Sequence, residues 1–360
     1  MAEQKDQGGR REDGQTAAVI WTELAAPLPC RGGVLVSAGE KIAIIGAGLV
    51  GGSWAIVFAR AGYEVSLYDS VPGATPRAVE AIVRRLRDLV DAGLLDDLPA
   101  VQGRIHPTDS LADALAGAVY AQESVFERED VKRAVFAEID RVVGSGTIIG
   151  SSSSGIPASA FTGHVACRSR CLIAHPVNPP HLIPVVELVP APWTDRDVVR
   201  RTRALMERVG QAPVEMTREA EGFLLNRLQG VLLMEAWRLV EEGLASVEDV
   251  DRTVADGLGL RWSFMGPFET IDLNAPGGVA DYAARLGPLY RRIAASRAEH
   301  RVWDAALIGE VERQRRVRLP AEALAGRSAW RDRRLMALLR HKLERAAAEV
   351  AAAASAEPSS

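Results

Sequence analysis

Residues 41–69, KIAIIGAGLVGGSWAIVFARAGYEVSLYD, leave this chain few folds to choose from. A five-residue apolar run ends in Gly46-Ala47-Gly48-Leu49-Val50-Gly51. A helix-period segment follows, then a second apolar run closed by Asp69. Each glycine has a physical reason to be there. Gly46 permits a tight turn, Gly48 lets the backbone approach a ligand, and Gly51 lets the helix lie close on the strand. The first amides of that helix, with the positive end of its dipole, form a site for a pyrophosphate. Gly46, Gly48, Leu49, Val50 and Gly51 are therefore read as dinucleotide contacts. Asp69 is placed to accept hydrogen bonds from ribose hydroxyls and to repel an extra phosphate, and no arginine follows it directly. The cofactor expected is NAD rather than NADP.

Beyond this unit, short β-type runs (119–122, 147–149, 171–174 and 185–189) alternate with helical patterns. In residues 79–90, the apolar positions Val79, Ile82, Val83, Leu86, Leu89 and Val90 share one helix face. Alternation of this kind predicts an α/β architecture, a Rossmann-type doubly wound, mostly parallel sheet. The pattern changes near Thr217, and an all-helical C-terminal domain is expected from there. The divisions read are a disordered extension over 1–38, an NAD-binding domain over 39–217, a helical substrate and dimerisation domain over 218–340, and a frayed tail over 341–360. Residues 222–243, GFLLNRLQGVLLMEAWRLVEEG, are apolar around most of a helix circumference, which calls for burial on several sides.

Composition excludes several classes of function. Lys plus Arg is 43 against 47 Asp plus Glu, a net charge of −4, so no concentrated basic face for nucleic acid is expected. The arginines at 84, 85 and 87 sit among acids and read as a solvated helix face. Three cysteines, Cys30, Cys167 and Cys171, fit neither a zinc nor a disulfide framework. No metal site is expected, and a reducing, cytoplasmic setting is. No run approaches the ~20 apolar residues of a membrane span.

The segment 175–187, HPVNPPHLIPVVE, carries the chemistry. His175 follows a strand-like run, at the carboxyl end where open α/β sheets bind ligands. Glu187 lies in the next apolar strand, which can fold back beside it. A carboxylate against an imidazole fixes the tautomer and stabilises the imidazolium, which suits a general base taking a proton from an alcohol. His181, inside the proline-rich loop, reads as a surface or pocket-lining residue.

With these residues in view, the chain resembles the 3-hydroxyacyl-CoA dehydrogenase superfamily, whose motif is matched by His175, Asn178, Pro179 and Glu187. The runs IAHPVNPPHLIPVVELVP, EGFLLNRLQ, EAWRLVEEGLAS and GLGLRWSFMGPFET are similar to its lambda-crystallin/L-gulonate 3-dehydrogenase branch, over about residues 41–335. The resemblance implies that Ser154 bonds the reacting oxygen and the nicotinamide. The run here is all serine, so Ser153 competes for that position. It implies that Asn226 polarises the substrate carbonyl, that Asn178 belongs to the cofactor loop, and that Glu127 and Lys132 lie near the nicotinamide ribose. A solvated acid and base at a helix start is the plainer reading of those two.

The activity implied is NAD-dependent oxidation of the 3-hydroxyl of a small hydroxy acid, L-gulonate-like, with His175 as base. A free carboxylate calls for an arginine, and Arg261 and Arg227 are the candidates. Trp262 and Phe264 offer an apolar or cation-binding wall. Alternatives left open are a 3-hydroxyacyl thioester on coenzyme A or a carrier, carnitine, and a non-enzymatic NAD(H)-binding crystallin-like or sensor protein. The resemblance and the apolar helix around residues 231–240 imply a homodimer.

Overall fold

The computed structural model describes residues 40–297 and 301–356, without the side chains of 352–356. The extension expected over 1–38 lies outside the described residues. The chain divides into two compact units, one ending at Arg227 and joined by residues from Ala329 onward, the other spanning Leu228–Ser328.

The first unit is built on one eight-stranded sheet. Its strands are β1 (Lys41–Ile45), β2 (Glu64–Tyr68), β3 (Ile105–Thr108), β4 (Ala118–Glu123), β5 (Ile148–Ser151), β6 (Cys171–Pro176), β7 (Val185–Pro190) and β8 (Ala212–Glu215). Their order is β3-β2-β1-β4-β5-β6-β7-β8. Every neighbouring pair is parallel except β6 with β7. The doubly wound, mostly parallel sheet is as the sequence implies. The chain order reverses direction between β1 and β4, and such switch points open a crevice at the strand ends. Helices α1 (Leu49–Arg60), α2 (Ala74–Asp91), α3 (Leu98–Gly103), α4 (Leu111–Leu115), α5 (Glu129–Val142), α6 (Ala158–Thr162) and α7 (Arg196–Arg208) cover the faces.

Because a parallel sheet is covered on both sides, its central strands are apolar throughout. Ile42 to Ile45 are buried, and two clusters form. One includes Ile42, Ile44, Trp54 and Phe58, the other Ala43, Ile45, Phe136 and Phe161. On α2, Ala78, Ile82, Leu86 and Leu89 are buried while Val90 is exposed. Arg85 on the same helix is half-buried, and burial lowers its pKa, so the arginine run is not wholly solvated.

Helix α8 (Leu225–Glu241) leads into the second unit, where α9 (Val247–Arg252), α10 (Gly259–Trp262), α11 (Pro267–Leu273), α12 (Gly278–Ser296) and α13 (Ala305–Arg318) follow. This unit is the helical region the pattern predicts. Its described residues bury little: Val247, Thr270 and Ala275 are its buried ones. The last helix, α14 (Leu324–Ala356), runs through residues read from sequence as a tail, and its Met336 joins the core of the first unit.

Candidate active site

The glycine-rich turn is built as its composition demands. Gly46 has φ 101°, and a Cβ there would lie 2.6 Å from the Ser124 carbonyl oxygen. A Cβ on Gly51 would meet the Gly46 oxygen at 1.8 Å, so helix and turn pack without room for a side chain. Nothing lies within 4 Å of a Cβ built on Gly48, which faces open space. Gly48 caps α1 without any side-chain hydrogen bond, and the first turn of that helix carries no acid. Its leading amides are left for an external anion. The Asp69 carboxylate accepts from the Ala47 amide at 2.7 Å and the Val71 amide at 2.9 Å. Each oxygen keeps acceptor capacity for a ribose hydroxyl. The residues present therefore fit a dinucleotide.

Three strands along from β1, β6 and its neighbour β7 form an antiparallel pair whose register sets His175 directly opposite Glu187. Cross-strand neighbours of that kind share a face of the sheet. His175 Nδ1 lies 2.7 Å from Glu187 Oε2, with both side chains buried. The other oxygen, Oε1, accepts the amides of Leu224 (2.7 Å) and Leu225 (2.8 Å), at the start of α8. Burial alone would raise the Glu187 pKa. The His175 hydrogen bond and the two amides outweigh it and hold the carboxyl below its usual range. An ionised carboxylate can only accept, so Nδ1 donates to it, and Nε2 is the nitrogen left to exchange a proton with a substrate.

The serine run after β5 is organised by Glu127. Its Oε1 accepts the Ser153 hydroxyl at 2.8 Å and the amides of Ser154 (2.9 Å) and Gly155 (3.0 Å). Burial would raise this carboxyl. The Ser153 hydroxyl, the Lys132 charge and the loop amides bring it below the ordinary value instead. Ser153 is fully buried, and its hydroxyl also faces the Ile156 carbonyl. Ser154 is partly exposed, and among the described residues its hydroxyl has no hydrogen-bond partner. The geometry thus separates the two serines that sequence alone leaves in competition. Asn226 donates from Nδ2 to the Ser154 carbonyl at 2.5 Å.

Lys132 is not a solvated base. Buried beneath the loop, it sits 3.0 Å from Glu123 and 3.4 Å from Glu127. Asn178 is exposed in the β6–β7 loop, joined to Pro179 by a cis peptide bond. Arg227 is exposed, with one guanidinium nitrogen 3.4 Å from the Glu221 carbonyl. Arg261, with Trp262 and Phe264, belongs to the second unit and is exposed there. His181 is buried rather than superficial, and its Nδ1 has no hydrogen-bond partner among the described residues. Sequence reasoning missed Phe223 and the amides that follow it. The GF pair before a helix is the one available signal, since backbone donors leave no trace in side-chain pattern.

A doubly wound sheet, a glycine-rich turn shaped for a dinucleotide and a strand-end histidine define the class of NAD-binding oxidoreductases. The chain belongs to the 3-hydroxyacyl-CoA dehydrogenase family. The NAD-binding domain of that family matches residues 41–220 and its C-terminal domain residues 222–315. Lambda-crystallin of Oryctolagus cuniculus is 42% identical over 85% of this chain and 97% of its own length. An L-carnitine dehydrogenase of Streptomyces coelicolor is 35% identical over 84% of this chain and 94% of its own. Among solved structures, 5-formyl-3-hydroxy-2-methylpyridine 4-carboxylic acid 5-dehydrogenase, an NAD+-dependent dismutase, superposes with a TM-score of 0.70. It is 29% identical, over 85% of this chain and 99% of that one.

Proposed function

We propose that the protein oxidises the 3-hydroxyl of a small free hydroxy acid, L-gulonate-like, to the 3-keto acid. The observation that carries this reading is the His175–Glu187 pair, held at 2.7 Å in strand register and steadied by two further amides on Glu187. With Nδ1 committed to Glu187, Nε2 of His175 takes the hydroxyl proton as the carbon–hydrogen bond breaks. Bound NAD supplies the acceptor for the hydride. Glu187 stabilises the imidazolium that results. The Ser154 hydroxyl and the second N–H of Asn226 are the donors assigned to the developing carbonyl oxygen. Gly46, Gly48, Leu49, Val50, Gly51 and Asp69 would hold the adenosine and pyrophosphate. Glu127, Lys132 and Asn178 belong to the nicotinamide side, where Glu127 and Lys132 shape the serine loop.

Arg261 or Arg227 is proposed to pair the substrate carboxylate. Carnitine is the second reading, supported by the 35% identity to a protein of that activity and by the exposed aromatic pair Trp262 and Phe264. A homodimer through the helical unit is also proposed. On α8, Leu228, Val231 and Met234 are exposed by half or more in the single chain, and a helix this apolar needs a covering surface. No helix among the described residues is long and apolar enough to cross a membrane. A cytoplasmic site of action is proposed from Cys167 and Cys171, which are buried thiols without a disulfide.

The test is NADH absorbance on mixing protein and NAD with L-gulonate, 3-hydroxybutyrate, 3-hydroxybutyryl-CoA and carnitine in turn. Gulonate should be turned over with the highest kcat/KM. A preference for the thioester would overturn the free-acid assignment, and silence with all four alongside tight NADH binding would favour a non-enzymatic role.

A further inference from the structure

The residues that fasten Glu187 to the start of α8 follow an uncommon backbone. Gly222 has φ 75°, and Phe223 follows it with φ 51°. Glycine takes the left-handed region freely, whereas a bulky residue with a Cβ does so only at a steric cost. Two consecutive left-handed residues turn the chain sharply. As a result, the next two amides, Leu224 and Leu225, converge on one oxygen of Glu187.

What sustains Phe223 in this conformation is its ring. The side chain is fully buried, in the cluster that includes Phe161, Ile173 and Val189. Its ring centroid lies 5.8 Å from that of His175, tilted by 55°. Removing so large an apolar ring from water offsets the backbone cost. The same ring closes one side of the imidazole, with Glu187 at its Nδ1 edge.

We infer that Phe223 is a positioning residue: its buried ring fixes the His175 imidazole, and its left-handed backbone aims the Leu224 and Leu225 amides at Glu187. The inference rests on His175 and Glu187 being the proton-handling pair. It assigns a second, mechanical role to a residue that otherwise reads as core.

The test has one arm that needs no substrate. In protein labelled with 15N-histidine, the His175 Nδ1–H should give a downfield proton signal slow to exchange with water, identified by its absence in His175→Ala. Phe223→Leu, which keeps an apolar side chain in place, should retain that signal. Phe223→Ala should lose it to exchange while still binding NADH. Should the alanine variant not bind NADH, Phe223→Gly, which accepts a left-handed backbone freely, is used in its place. A signal that persists unchanged in the variant lacking the ring overturns the inference.

The second arm uses whichever substrate of the panel is oxidised. Phe223→Ala should lower kcat by at least about tenfold with little change in NADH affinity, and on a Glu187→Gln background it should cost less than about threefold more. Equal losses in both backgrounds would mean a generally structural role and overturn the inference. If no substrate is oxidised, or Glu187→Gln leaves turnover intact, the proposed function fails, and the exchange arm still decides the positioning.

Discussion

His181 should make the stability of this protein fall in mild acid. The residue lies in the loop joining the two strands that carry His175 and Glu187. It is 9% exposed, with Nδ1 unpartnered among the described residues. Burial pushes its pKa down from 6.5 to about 3, with Arg85 and Arg60 adding repulsion. The native imidazole thus stays neutral where the unfolded one takes a proton, and the unfolded state gains stability as pH falls below about 6.5. Each pH unit in the window from 6.5 toward 3 removes about 1.4 kcal/mol. Between pH 7 and pH 5 the loss from this one residue is about 2 kcal/mol, and above 6.5 it vanishes. For a chain of 360 residues that is a fall in Tm of roughly 3 °C. Glu187 and Glu127, whose pKa values are lowered, add their own losses only at more acid pH.

The assay is urea or thermal unfolding from pH 7.5 to 5, run in parallel on the wild type and on His181→Gln, which cannot titrate. The stability of the wild type relative to His181→Gln should fall by about 2 kcal/mol over that range. Curves that stay parallel would refute the reasoning, because they would mean that His181 charges in place at little cost.

Four further outcomes are expected. His175→Ala should lose about 10²–10⁴ in turnover while NADH titration by fluorescence gives near-normal affinity; near-normal turnover would remove His175 as the base. Gly51→Ala and Gly48→Ala should part company, since an added Cβ meets the Gly46 oxygen at 1.8 Å in the first and open space in the second. The first should lower Tm and abolish NADH binding, whereas the second should weaken NADH binding with Tm preserved; an equal Tm loss in both would contradict the cradle. Lys132→Met leaves Glu123 buried without its cation and should cost roughly 3–5 kcal/mol, measured by urea unfolding at pH 7.5. Sedimentation at micromolar concentration should give a dimer, and Val231→Glu on the exposed face of α8 should shift it toward monomer.

Much of the fold was legible because its signals are local. β1 and β2 have the bounds their apolar runs imply, and the glycines between them answer to distances of a few ångströms. The strands that the pattern did not reveal are the two edges. β3 is IHPT and β8 is APVE, each short, with a proline and with exposed positions. Edge strands are commonly blunted in this way, and that removes the apolar run by which a strand is recognised. His181 misled for a related reason. A histidine between prolines looks solvated, and its burial comes from packing against distant parts of the chain that no local pattern records.

The site divides along the same line. His175 and Glu187 could be paired from sequence because a tight loop between two antiparallel strands converts their spacing into a cross-strand contact. The buried contact of Lys132 with Glu123 and the different surroundings of Ser153 and Ser154 could not, since both depend on which way a loop turns above the sheet. Nor could the part played by residues 222–226, where sequence shows only a change from alternating to helical pattern. In the structure that short segment supplies a ring against His175, two amides to Glu187 and a side-chain donor to the Ser154 carbonyl. The segment at the end of the sheet is thus tied directly to the proposed proton-handling pair and to the serine loop. A substitution there that leaves the fold intact should therefore be felt first in proton transfer.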